Sequence, residues 1–340
     1  MNAVAASLLV ITLTTQGHWF GGRDAAVELH WTRADAPVAA VVHWRLTHGP
    51  IELARGRINA PGADEPARLT LEPPSVRART TLLWSYELRH AEDDRLLERG
   101  RRVVHLHPDD MLERLHDLGG PDLIVVAADD DALLALLREA GAAHEHVTRI
   151  ESLRLGDVKR VVVAPGMLDA RRGDEPALRS LARRGARVLV LEQQAVGRIA
   201  GLTLRSRSAL PALRWRMDHP LLAGLERDDV TAWLARHDEV RALELPADEP
   251  ALELAYWPDE TDNAPPGPVD ALLVTRRVGD GRVVLAQLPA LAVDRDPRAQ
   301  RLLVNALDHL AAPVGPTPSR AQRHAAEQRK LKMSQPGVRP

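Results

Sequence analysis

The hydrophobic period of this chain changes once, near Met111, and that change constrains the fold more than any single motif. Before it, apolar residues alternate one by one. Val27, Leu29 and Trp31 interleave with Glu28, His30 and Thr32. Val42, Trp44 and Leu46 interleave with His43, Arg45 and Thr47. Leu82, Trp84, Tyr86 and Leu88 interleave with Leu83, Ser85, Glu87 and Arg89. Period two with one apolar face predicts antiparallel strands over a shared core. Gly21-Gly22, Gly49-Pro50, Pro61-Gly62 and Pro73-Pro74 break these runs at the spacing of a small sandwich.

The first region, residues 1–107, is therefore expected to be an immunoglobulin-like β-sandwich ending at His107-Pro108. After Met111, short continuous apolar runs alternate with amphipathic helical patterns. Residues 123–127, 161–164 and 188–191 read as buried strands. Asp129-Asp130-Asp131 opens a helix carrying Leu133, Leu136, Leu137 and Ala140, closed by Gly141. Asp174-Glu175-Pro176 opens another with Leu178, Leu181 and Ala182, stopped by Gly185. Strands apolar on both faces, each followed by a helix, predict a parallel sheet covered by helices over residues 108–313. A short helix is expected at 226–235, and strands near 240–245, 251–257 and 271–276. The close is a hairpin at Asp280-Gly281, the strand Val283-Val284-Leu285-Ala286, and a helix begun by Asp296-Pro297 with Leu303, Ala306, Leu307 and Leu310 on one side.

Composition removes several chemistries. The chain has no cysteine, so disulfides, thiolate metal sites and cysteine nucleophiles are excluded. A formal net charge of −2 with only three lysines gives no electrostatic case for nucleic acid, and arginine pairs such as Arg183-Arg184 read as solvated helix faces. The apolar stretch at 3–13 lacks a basic leading segment and a small-residue cleavage site, so a buried first strand is the reading and the compartment stays undetermined, cytoplasmic if the chain is complete. No run is long enough to span a bilayer, and no membrane partner is expected. Residues 314–340, with six basic groups against one acidic, read as a disordered basic tail.

Four segments together resemble a known family. They are His219-Pro220-Leu221-Leu222-Ala223-Gly224-Leu225, then Asp228-Asp229 with Trp233, then residues 279–288, then Leu302-Leu303-Val304-Asn305-Ala306-Leu307. Trp19-Phe20-Gly21-Gly22 and Val188-Leu189-Val190-Leu191-Glu192-Gln193 fit the same picture. The chain resembles the C-terminal region of bacterial glycoside hydrolases related to family 2, of the β-galactosidase, β-mannosidase and β-glucuronidase types. The resemblance implies a sandwich followed by an open α/β domain with the flavodoxin-like fold of class I glutamine amidotransferases. It also implies a partner: the catalytic barrel of such a hydrolase, in cis or in trans, or further subunits of an oligomer.

The departures from that family decide the expected function. A family glycosidase works through two carboxylates in a (β/α)₈ barrel, and the sandwich and α/β regions leave no residues for one. An amidotransferase needs a cysteine on its strand–helix turn, where Pro165-Gly166-Met167 stands here. The chain is therefore expected to be a non-catalytic accessory region of carbohydrate metabolism, with no catalytic residues and no cofactor. The alternative is a stand-alone carbohydrate-binding or adaptor protein.

Ligand candidates follow from the α/β geometry. Ligands of open sheets bind beyond the carboxyl ends of the strands, where Asp129, Glu192 and Gln193 fall. Three aspartates at a helix start repel an anion, which argues against nucleotides. Seven tryptophans stand against one phenylalanine. Trp31, Trp44 and Trp84 lie in core patterns, leaving Trp19, Trp215 and Trp257 as candidates to stack on a sugar. His105-x-His107 and His144-x-His146 each offer two imidazoles, but a metal needs a third convergent ligand and none beyond Asp109 or Asp110 is adjacent, so no metal is expected. His219 reads as a loop histidine bonded to backbone, and no serine sits in a G-x-S-x-G turn.

Overall fold

The computed structural model describes residues 9–13, 17–31, 40–60, 67–153, 159–195, 197–207, 214–215, 219–234, 240–245, 252–257, 269–288, 291–293 and 295–313. The fold is β-rich, and among the described residues its α-helices all lie past residue 113. The tail expected to be disordered lies outside the described residues.

Among the described residues eight strands precede residue 108: β1 (Leu9–Leu13), β2 (His18–Phe20), β3 (Ala25–Trp31), β4 (Ala40–His48), β5 (Ile51–Asn59), β6 (Ala67–Leu71), β7 (Thr80–His90) and β8 (Leu96–His107). They form a three-stranded sheet, β1-β3-β6, and a five-stranded sheet, β2-β8-β7-β4-β5. All pairs are antiparallel except β2 with β8. Val27, Leu29 and Leu71 from the smaller sheet meet Val42, Leu46, Leu82, Trp84, Leu88, Val104 and Leu106 from the larger in one core. The period-two runs place those side chains on a single face of each sheet.

Past residue 108 the elements are α1 (Arg114–Leu118), β9 (Leu123–Val126), α2 (Ala132–Glu139), β10 (Glu145–Val147), β11 (Arg160–Val163), α3 (Asp174–Arg183), β12 (Arg187–Val190), β13 (Arg198–Ile199), β14 (Leu202–Arg207), β15 (Arg214–Trp215), α4 (Arg227–Leu234), β16 (Val240–Leu245), β17 (Leu252–Trp257), β18 (Val269–Val278), β19 (Gly281–Ala286) and α5 (Pro297–Ala311). Their strands build one mixed sheet of eleven. Its first half, β10-β9-β11-β12-β19, is parallel throughout. From β19 onward, through β18, β16, β14 and β13, each pair is antiparallel.

Both faces of the parallel half are covered. Val125, Val162, Leu189 and Val284 pack toward Leu133, Leu134 and Leu137 of α2 and Leu302, Leu303 and Leu307 of α5. Ile124, Val161, Val188 and Val283, one residue earlier on each strand, pack toward Leu178, Leu181 and Ala182 of α3. Continuous apolar strands are required because successive side chains enter opposite cores.

Local chemistry starts and stops these helices. The Asp131 carboxylate accepts from Leu133 N at 2.8 Å, and Asp296 accepts from Arg298 N at 2.9 Å with Pro297 at the first helical position. At the other end of α5, Arg187 donates to Ala311 O at 2.6 Å and to Ala312 O, and Arg282 donates to His309 O. Two guanidiniums from the sheet thereby satisfy carbonyls at the negative end of the helix. The hairpin turn at 279–280 lies against α3, where the Gly281 Cα faces Ala186 O and Ala182 O so closely that a Cβ there would collide with both.

Candidate functional site

A polar cluster lies where the five-stranded sheet meets α4 and α5. β2 pairs beside β8 in register His18 to His105 and Phe20 to His107. This brings three imidazoles together: His18 stacks on His105 with ring centroids 4.9 Å apart, and His18 Nδ1 lies 3.1 Å from His107 Nε2. The first turn of α4 then supplies Asp229, whose Oδ1 lies 3.2 Å from His18 Nε2. Arg79, from the segment leading into β7, reaches Asp229 Oδ2 at 2.9 Å and Glu226 at 3.1 Å. Arg298 of α5 completes the cluster. It is fully buried, clasps Asp296 with two nitrogens at 2.7–3.2 Å, donates to Asp229 O at 2.9 Å, and lies 5.5 Å from the Trp233 ring centre.

Burial sets the protonation of this cluster. Desolvation, with the Arg79 and His18 charges behind it, pushes His105 down to about 4. Desolvation followed by His18 and Arg79 pushes His107 down to about 3. Asp229 is held at about 2: burial opposes its charge, but the hydrogen bond and charge of His18 and the Arg79 guanidinium outweigh it. His105 and His107 are therefore neutral at neutral pH, and Asp229 is an anion. Among the described residues His18, His105 and Asp229 are the one group whose ligand atoms, all within 4.8 Å of one another, suit a metal ion.

The residues proposed from sequence fall elsewhere. Asp129 is exposed, with His146 Nδ1 3.9 Å away. Glu192 is half-buried, and its carbonyl accepts from Gly166 N at 2.9 Å. Gln193 is a correction. It is fully buried; its amide donates to Ala164 O and Leu191 O, its Oε1 accepts from Leu168 N, and its own N–H donates to Gln287 Oε1 at 3.1 Å. Its side-chain amide is used in closing the ends of β11 and β12, so it is not offered to a sugar. Trp19 is a second correction. At 3% exposure it belongs to the sandwich core, because β2 pairs with β8 at the edge of the larger sheet and Trp19 packs on its inner face. The side chains of Trp215 and Trp257 lie outside the described residues.

The histidine pairs divide. His144 and His146 bond to the backbone carbonyls of Ala142 and Ala127. His219 accepts from Leu221 N at 3.3 Å, capping its own turn, as a loop histidine. His105 and His107 instead gain partners that no local spacing announces. Asp229 falls in the Asp228-Asp229 pair, His18 falls in no motif, and nothing in sequence joins them.

A second concavity lies on the five-stranded sheet, on the face turned away from the sandwich core. It encloses about 1060 Å³ and is lined by Arg45, Arg55, Arg57, Arg99 and Arg101 together with Glu52 and Glu87. Arg45 stands directly opposite Arg55, and His43 directly opposite Arg57.

No protein-family model matches the chain, and no curated protein matches it. Among solved structures it is similar to the CARDB domain of the PF1109 protein from Pyrococcus furiosus, crystallised with di-metal ions. The identity is 8%, over 30% of this chain and 94% of that one, with a TM-score of 0.22. At that score the likeness carries no argument.

Proposed function

We propose that this chain is a non-catalytic accessory region of the kind found at the C-terminal end of family 2-type glycoside hydrolases. In this reading residues 1–107 are an immunoglobulin-like sandwich and residues 108–313 an amidotransferase-like α/β domain. Together they pack against a catalytic barrel, shape its rim, or hold subunits together. The observation that carries the reading is the closure of the strand ends. In an open α/β sheet, ligands bind beyond the carboxyl ends of the parallel strands. Here Gln193 and Gln287 bond across those ends from the inside, and half-buried Met167 packs on both cores where a nucleophile would stand. Assay of the purified chain on aryl β-glycosides tests it. No turnover above buffer is expected, and turnover at enzyme-like rates overturns it.

The basic concavity favours a second reading, a carbohydrate-binding or adaptor protein whose ligand is anionic. Five arginines line the concavity against Glu52 and Glu87, and with Glu52 paired to Arg55 the remaining positive charge suits an anion. Calorimetry with a sulfated and a neutral oligosaccharide separates the readings. Heat with the sulfated sugar alone supports this one, and no heat with either removes it.

A further inference from the structure

We propose that His18, His105 and Asp229 bind one divalent transition-metal ion, with zinc the best match to two imidazoles and a carboxylate. The proposal does not depend on the accessory reading above.

Spacing is the first argument. Donors about 2.0–2.1 Å from a tetrahedral zinc lie about 3.3 Å from each other. His18 Nε2 and Asp229 Oδ1 are 3.2 Å apart, so they already occupy two corners of such a site. Two imidazoles bound to one ion through Nε2 have ring centres about 5 Å apart by the same geometry. The His18 and His105 centroids are 4.9 Å apart.

The outer contacts are the second argument. Ligating histidines are held by a partner on the other ring nitrogen, and ligating carboxylates are themselves hydrogen-bonded. Each of the three has that arrangement. His18 Nδ1 is joined to His107 Nε2 at 3.1 Å. His105 Nδ1 is 3.2 Å from Thr81 Oγ1, which leaves Nε2 to ligate. Asp229 Oδ2 receives Arg79, which leaves Oδ1. A ligand set oriented from behind in this way is more than a chance meeting of polar groups.

Charge permits a cation despite three nearby arginines. Arg79 is shared between Glu226 and Asp229, and Arg298 is clasped by Asp296. Three carboxylates, Asp229 itself among them, face Arg79, Arg298 and, beside His107, Arg301, so the charges around the site balance. Half-buried His105 sits at the rim and provides the way in, while His18 and Asp229 are buried. Three protein ligands leave a fourth position for water. The ion would replace the hydrogen bond between His18 and Asp229 and bridge the sandwich to α4.

Cobalt(II) serves as the spectroscopic probe. The full chain, stripped with a chelator, is titrated with Co²⁺ and the visible d–d absorption followed, then zinc is added in competition. One Co²⁺ per chain with tetrahedral-type absorption, displaced by one zinc, is the expected result. His105→Gln removes a rim ligand while keeping the His18–Asp229–Arg79 link, so its fold is checked by circular dichroism and its absorption is expected to vanish. Thr81→Val, acting through His105, is expected to weaken binding about 10- to 100-fold. Absence of the band in the wild-type chain overturns the proposal. So does a band of full strength in His105→Gln, which would place the ion at other histidines.

Discussion

His18 and Asp229 meet at 3.2 Å although one lies on the short strand β2 and the other on the first turn of α4. Both are buried, and Arg79 holds the far oxygen of the same carboxylate. This contact fastens the sandwich to the mixed sheet by polar groups, where most of each core is apolar. A buried ion pair adds little over a well-packed apolar alternative, but removing one partner strands the other.

Asp229→Ala should therefore cost about 3–5 kcal/mol, because Arg79 and His18 lose their shared anion inside the contact. Urea unfolding followed by tryptophan fluorescence measures it. A midpoint unchanged from wild type would show that the contact is solvated.

Arg298→Lys should destabilise nearly as much as Arg298→Met, despite keeping the charge. The guanidinium clasps both oxygens of Asp296 and also donates to Asp229 O. A lysine ammonium is a point donor and cannot reproduce that fork. Thermal melts of the two variants side by side test it. A Lys variant melting with wild type would mean that charge alone suffices.

Acid should destabilise the metal-free fold through its buried histidines. Desolvation holds His105 at about 4 and His107 at about 3, and desolvation with the Arg282 charge holds His309 at about 4. The unfolded chain binds these protons near pH 6.5 and the folded chain does not. Between those values the unfolded state holds more protons, so stability is fully present above about pH 6.5 and declines toward pH 4. Melting temperature from pH 8 to 4.5 should fall, and His309→Gln should flatten the slope. A flat wild-type profile would contradict the burial of these rings.

Two glycine substitutions should separate packing from backbone strain. Gly281→Ala drives a methyl into the carbonyls of Ala182 and Ala186, both backbone atoms that cannot turn aside. Gly49→Ala meets open space but keeps a φ of +55°, which costs an L-residue about 1–2 kcal/mol. Gly281→Ala is expected to lower the unfolding midpoint by clearly more. Equal losses would mean that the hairpin can lift off α3.

Local signals read true where their physics is local. Asp131 and Asp296 cap their helices because a short carboxylate reaches an amide two residues on, a relation contained in adjacent residues. Continuous apolar runs at 123–127, 161–164 and 188–191 became parallel strands because both faces had to be covered. The same rules misplace Gln193 and Trp19. A Glu-Gln pair after a buried strand looks like an exposed loop until Gln287 arrives from β19 to receive it. A tryptophan before two glycines looks peripheral until β2 pairs along β8 and turns it onto the core.

Residue order alone determined the periods, the caps and the turns, since each depends on spacings of two to four residues along the backbone. It also determined that no thiol chemistry occurs. The tertiary structure alone decided which polar groups share a partner. His18, His105 and Asp229 converge because a strand register, a helix start and the docking of two sheets coincide in space. Electrostatics acts on distance through the fold, and separation along the chain carries no record of it.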